Sequence, residues 1–373
     1  SLQETFSLRY ELGYHHYTLY YYDRAGNLLR TVPPAGVVLA TNATTLPAHR
    51  LRTRYRYNSL GQLVQQTTPD GGTTDFYYNR RSQLRYSQND KQRNAQGSGN
   101  ERTAWFSYTR YDNLGRVTEV GESNQVASLE SRREEMGFPN AGFRQVTRTT
   151  YSQPGSVLYS PNGQNLPQRY LQNRVSFTTL DPVQATVGDE QTTTYSYDPH
   201  GNVEWLVQSI PGLGQKAVRY EYDLIAGKVL RVNYQEGSPE QFYHRYQYDE
   251  DNRLTGVETS TDAVIWDKDA AYAYYRHGPL QRTELGQDKL QGMDYTYTIH
   301  GWLKAINGRA PAPGQQDLLA DAFTMGLQYY NGDYLRTGTG ALATPTTAAV
   351  EVRNQLYNGN IAGWSRSIAT GRG

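Results

Sequence analysis

The sequence predicts an all-β protein built as an array of short β-hairpins that join into one long antiparallel sheet. Three observations carry this. One unit, Y-x-Y-D-x-x-G-x-L, recurs nine times, and internal repetition of this kind decides an architecture. Tyrosine supplies 33 of the 373 residues while the hydrophobic fraction, tyrosine included, is only 37%, so the aliphatic content is low for a globular enzyme. Between the units lie runs rich in Pro, Gly, Asn and Ser, the composition of turns and surface loops.

The copies read YYYDRAGNL, YRYNSLGQL, FYYNRRSQL, TRYDNLGRV, YSYDPHGNV, YEYDLIAGKV, YQYDEDNRL, YAYYRHGPL and YTYTIHGWL. The central aromatic is invariant: Tyr22, Tyr57, Tyr78, Tyr111, Tyr197, Tyr222, Tyr248, Tyr274 and Tyr297. A second aromatic stands two residues earlier in every copy but the one with Thr109. Side chains of a strand alternate between its faces, so these two rings share a face. The broad tyrosine ring packs like a core residue and its hydroxyl needs a partner or water, which suits a sheet with partly wet faces.

The turn follows. Asp23, Asn58, Asn79, Asp112, Asp198, Asp223 and Asp249 place a short side-chain oxygen where it can bond the backbone of the turn it opens. Gly26, Gly61, Gly115, Gly201, Gly278 and Gly301 occupy the fourth position. Asp or Asn first and Gly fourth is the preference of a type I turn, with a positive φ leading into the return strand. Ser82 and Asn252 replace the glycine, and Asn tolerates that conformation better than Ser. One extra residue precedes Gly227, which predicts a longer turn or a bulge. Tyr275 and Thr298 lack the acidic group, so their turns should be less firmly pinned. A closing Leu or Val, from Leu28 to Leu303, begins each return strand.

Spacing sets the organisation. Residues 1–304 form the array, with a degenerate or inserted stretch at about 118–194, where the interval from Tyr111 to Tyr197 should hide further copies. QVTRTTYSQ and NRVSFTTL alternate there like strands without the turn signature. TVPPAGVVLATNATTLPAHR and SQNDKQRNAQGSGNE read as surface loops. Residues 305–350 read as an irregular connection, with LLADAFTMGLQYYN beginning as a brief helix before returning to strand and a loop at TGTGALATPTTAAV, and 351–373 resume a repeat-like pattern.

Composition excludes several classes. Lys and Arg number 37 against 36 Asp and Glu, which gives none of the basic excess a phosphate backbone demands, so nucleic acid is not an expected partner. No apolar run approaches the roughly 18 to 20 residues of a membrane helix, and SLQETFSLRY lacks the regions of a signal peptide. The ends read as the limits of a fragment. Without cysteine there is no disulfide, Cys nucleophile or Cys-based zinc site.

No catalytic constellation appears: H-E-x-x-H, G-x-S-x-G, Walker and dinucleotide patterns are all missing. The sequence is read as non-enzymatic and without cofactor or metal. His200, His277 and His300 share one repeat slot, where stacked turns could build an imidazole ladder, but an exposed turn tip explains them more simply. His15 and His16 are adjacent on an expected strand and face opposite ways. Seven equivalent Asp/Asn positions describe a scaffold solution repeated, whereas a catalytic carboxylate pair occurs once. Trp105, Trp205, Trp266, Trp302 and Trp364, with the tyrosines, could stack on sugars; cross-strand packing fits their register better. Asn42 opens a short glycosylation sequon.

The nine copies, and strings such as YNSLGQLVQQTTPDGG, FYYNRRSQLRYSQNDKQ, YTIHGWLKAING and LYNGNIAGWS, resemble the RHS/YD repeats of bacterial RHS proteins, in particular RHS-repeat proteins of Bacteroidota-like bacteria. They also resemble the repeats of the encapsulating components of Tc toxins and of teneurins. The resemblance covers most of the chain. It implies that the hairpins join side by side into a sheet that spirals into a hollow shell, of which this chain would be a partial wall. It implies partners in the remainder of the same large chain, in an enclosed cargo domain such as a C-terminal toxin, and in a secretion or surface-anchoring component, with a secreted or cell-surface location and no membrane insertion. The aspartyl-protease-like core that follows the repeats in many relatives has no counterpart here, since no pair of Asp-Pro-x-Gly-like motifs closes the chain. An adhesin-like module binding glycans or a partner through exposed aromatics is the alternative reading.

Overall fold

A computed structural model describes residues 17–38, 47–93, 104–125, 128–182, 188–287, 291–308, 323–334 and 355–368. His15, His16, the sequon at Asn42, the LLADA segment and TGTGALATPTTAAV lie outside these residues.

The chain is all-β. Among the described residues, 22 strands accompany only short helical turns, at Pro34–Gly36, Asp90–Arg93, Leu129–Arg132 and Pro161–Gly163. SQNDKQRNAQGSGNE, expected as loop throughout, therefore starts with strand residues and a helical turn at Asp90–Arg93. FTMGLQ forms the strand Phe323–Gln328. The chain divides into two compact units, one comprising Ser1–Ser156, Leu171–Thr194 and Gln208–Gln215, the other Val157–Tyr170, Tyr195–Val207 and Lys216–Gly373.

Within each unit the strands pair antiparallel with their sequence neighbours. In the first, pairing runs in order from Leu19–Tyr22 to Gln191–Tyr197. In the second it runs from Gly214–Tyr222 to Gly363–Ile368. Sequential pairing joins strands to their neighbours in sequence, most of them through short turns that keep the cost of loop closure low.

Every hairpin of the Y-x-Y-D unit with a described register carries the same irregularity. Tyr248 faces Leu254, yet Gln247 faces Gly256, so Thr255 is an extra residue on the return strand. The same bulge follows the closing residue opposite Tyr22, Tyr57, Tyr78, Tyr111, Tyr222, Tyr274 and Tyr297. A bulge re-aims side chains and strengthens local twist, and here it recurs once per unit.

The 118–194 stretch holds the strands Val117–Ser123, Phe143–Tyr151, Val175–Asp181 and Gln191–Tyr197. The insertions between strands supply two apolar clusters. In the first unit Leu129 and Phe138 close over Tyr86, Phe106 and Tyr108. In the second Tyr159 closes over Trp205 and Val207.

Candidate functional site: the joint between repeats

The turns that open on Asp or Asn are locked by that first residue. Asp23 Oδ1 accepts from the N–H groups of Ala25 and Asn27, and Oδ2 accepts from the Asn27 side-chain amide at 2.9 Å. Gly26 N–H closes the turn on the Asp23 carbonyl, with φ of +85°. Ser82 and Asn252 adopt the same left-handed conformation at φ of +62° and +63°. The Asp223 copy forms a longer turn, in which Gly227 N–H reaches the Asp223 carbonyl.

The residue four positions on completes the lock, and its identity follows the first. Asp112 and Asp249 receive the guanidiniums of Arg116 and Arg253 at 2.7 and 2.8 Å, and Asp198 receives the Asn202 amide at 2.9 Å. Where the first residue is Asn the roles invert: Asn58 and Asn79 donate their amides to Gln62 and Gln83 at 2.7 and 2.9 Å. These bonds hold carboxylates below the usual range. At Asp23 the main cause is the Asn27 side-chain bond; at Asp249 it is the backbone N–H of Arg253.

The central tyrosines hold consecutive hairpins together. The ladder between the strands Val229–Tyr234 and Phe242–Tyr248 ends at Arg231 opposite Arg245. That leaves the carbonyl of the closing residue Val229 beyond the ladder, where Tyr248 Oη donates to it at 2.9 Å. The same bond joins Tyr111 to Leu84 (2.9 Å), Tyr222 to Val203 (2.9 Å) and Tyr274 to Leu254 (2.8 Å). Burial pushes these four phenols above their ordinary value. Tyr57, Tyr78 and Tyr297 keep the register without a described bond of this kind, and Tyr275 donates instead to the Tyr295 carbonyl.

Two further tyrosines make the same bond and reveal copies lacking the full motif. Tyr151 donates to the Val117 carbonyl at 2.8 Å and faces Val175, with a bulge at Ser176. Tyr329 donates to the Leu303 carbonyl at 2.7 Å. Beside it Lys304 and Asp333 form an ion pair at 2.7 Å, with side chains only 9% and 6% exposed. Asp333 also accepts from the Tyr329 N–H.

Most central tyrosines are half-buried; only Tyr197 is buried, and Tyr22 is 60% exposed. Their hold on the fold rests as much on the hydroxyl as on packing. The tryptophans do not form a common aromatic track. Trp205 is fully buried, Trp105 lies under the Arg144 guanidinium at 3.8 Å, Trp266 under Arg245 at 4.3 Å, and Trp302 packs on Tyr329. Trp364 alone of the five is exposed. His200, His277 and His300 sit at exposed turn tips; His277 stacks on Tyr275 and His300 on Trp302. No group of three metal-ligating side chains occurs among the described residues, and no described helix is long and apolar enough to cross a membrane.

No protein-family model and no curated protein matches the chain. Among solved structures it is similar to the crystal structure of TcdB2-TccC3-Cdc42, at 18% identity over 84% of this chain and 17% of that chain, with a TM-score of 0.35. It is similar to a Photorhabdus luminescens Tc holotoxin pore carrying a TccC3 mutation, at 15% identity over 85% of this chain and 17% of that chain, with a TM-score of 0.38. A porin-like protein from Bacteroides uniformis aligns at 9% identity over 61% of this chain and 85% of that chain, with a TM-score of 0.27. The chain spans about 17% of the length of the Tc chains it matches.

Proposed function

We propose that this chain is a wall segment of an encapsulating shell, part of a large secreted or surface-displayed RHS/YD-repeat protein that encloses a cargo such as a toxin domain. Its role is containment, with no catalysis and no cofactor. The single observation that carries this reading is the repeated joint: a bulge in each unit of described register and, at six tyrosines, a hydroxyl bond to the preceding unit, so the sheet extends by adding units and needs no central core. That is the physics of a repeat array, in which each unit contacts its neighbours. The resemblance of the motif to RHS/YD repeats supplies the cargo and the extracellular location.

Protease protection of the full-length protein tests containment. Sequence outside the array should resist a nonspecific protease in the native protein and become sensitive when Tyr222, Tyr248 and Tyr274 are replaced together by Phe. Digestion of that sequence at the same rate in both forms would overturn the reading. Exposed aromatics at Tyr17, Tyr20, Tyr22 and Trp364, from 58% to 63% accessible, favour the adhesin-like alternative. Saturable glycan binding abolished by Trp364→Ala would establish it.

A further inference from the structure

Several strand arginines in this molecule are matched with carboxylates from a neighbouring strand. Arg110 and Arg148 share Glu119, Arg144 meets Glu122, Arg245 meets Glu258, Arg282 meets Asp294 and Arg93 meets Asp75. The strands Leu28–Val32 and Thr53–Tyr57 instead gather four arginines without such a carboxylate. Arg30 stands directly opposite Arg54, and Arg52, Arg54 and Arg56 occupy alternate positions just before and along the second strand. None of the four has a carboxylate partner among the described residues. Arg56 reaches only the Gln65 amide oxygen, at 3.3 Å, and Arg30 lies over the Tyr21 ring at 4.2 Å.

Like charges facing each other across strands are destabilising. The other facing pair, Arg231 and Arg245, is relieved: Glu258 takes Arg245 at 2.7 Å, and the Trp266 ring lies within 5.3 Å of both guanidiniums. Arg30 has the Tyr21 ring, but neither it nor Arg54 has a carboxylate among the described residues. The nearby acids are already engaged, Asp23 in its own turn and Asp75 by Arg93. The four arginines line a groove of about 560 Å³ together with Tyr21 and Tyr55. The ring of His49, hydrogen-bonded to Tyr21 at 2.7 Å, has its proton affinity lowered by burial and by Arg30 and Arg52, as a positive field would produce.

We propose that this groove docks an extended acidic segment of polypeptide whose alternate side chains supply the missing carboxylates. The commitment to polypeptide rests on charge complementarity in the molecule's own terms, since carboxylates on adjacent strands are what meet Arg110, Arg144, Arg148, Arg245 and Arg282. Alternate residues of an extended peptide are spaced roughly 6.5 to 7 Å apart, the spacing of Arg52, Arg54 and Arg56 along their strand. The inference goes beyond the containment reading and holds independently of it.

The test uses the full chain and a short fluorescent peptide alternating glutamate with valine, read by anisotropy. Binding should be saturable, and should weaken by about tenfold or more when glutamine replaces glutamate in the peptide or when Arg30→Gln and Arg54→Gln are combined. Arg253→Gln, at a paired arginine, should leave it unchanged. No binding, equal binding of the glutamine peptide, or tighter binding of an oligothymidylate of equal charge would overturn the proposal. Thermal melting of Arg54→Thr gives a second reading. An unchanged or raised midpoint is expected from relief of the facing charges; a lowered one would make these arginines part of the fold and overturn the assignment.

Discussion

The units around Tyr248 and Tyr151 solve the same problem with different means. At Tyr248 the chain reverses through Asp249 and Asn252, with the Asp249 carboxylate gripping Arg253. At Tyr151 the compact turn is gone and the return strand begins only at Val175, with Ser152 N–H bonded to the Arg174 carbonyl. Yet both place a closing Leu or Val opposite the tyrosine, follow it with a bulge, and send the phenol to the closing carbonyl of the preceding unit. In this pair the turn is therefore replaceable, while the bulge and the hydroxyl joint persist. Insertions enter where the turn was.

The largest effect should come from the apolar clusters that insertions cover. Tyr86 is 1% exposed, meets Phe106 and Phe138 edge-on at 5.7 and 5.8 Å, and donates to main-chain carbonyls of the insertion. Tyr86→Ala should cost about 3–5 kcal/mol in urea denaturation, against less than about 0.5 kcal/mol for Tyr22→Ala at the exposed end of the array. Equal losses would show that the insertion is a loose cover.

A smaller effect separates the two kinds of turn. Asn58→Asp sets a carboxylate against the Gln62 amide oxygen and should cost about 1 kcal/mol. Adding Gln62→Asn recreates the pair seen at Asp23 and Asn27 and should recover most of it. A double-mutant cycle with no coupling would refute the lock.

The smallest effect is one of pH. Asp23 and Asp249 are held below their unfolded value, near 3.9, so the folded state favours the carboxylate. Their contribution is present above that value and is lost as pH falls through the lowered folded value. Corrected for intrinsic exchange, the Asn27 amide should lose hydrogen-exchange protection in that acid window, while the Gln62 amide, bonded to an uncharged Asn58, should not. Parallel loss at both would mean that the carboxylates are not what titrates.

Much of this fold was legible in the sequence. A period-two aromatic pair followed by Asp or Asn and Gly specifies a strand and its reversal locally, and the turns stand where those residues put them. The partner four residues on was also readable, since Asp accompanies Asn or Arg and Asn accompanies Gln. The joint was not, because it links a side chain to a main-chain carbonyl of another hairpin and depends on a bulge that leaves no residue signature. Tyr151 and Tyr329 were hidden for that reason. Phe138 and Tyr159 were hidden because an insertion that packs back on a sheet need follow no period.

Urea denaturation of Tyr248→Phe, Tyr151→Phe and Tyr22→Phe tests the joint most directly. Each substitution removes one hydroxyl and leaves the ring. A net loss of about 1 kcal/mol is expected for each of the first two, regular turn or not, and none for Tyr22, whose hydroxyl has no described partner. Unchanged stability in Tyr151→Phe and Tyr248→Phe, or an equal loss in Tyr22→Phe, would contradict the hydroxyl joint as a bond that holds neighbouring units together.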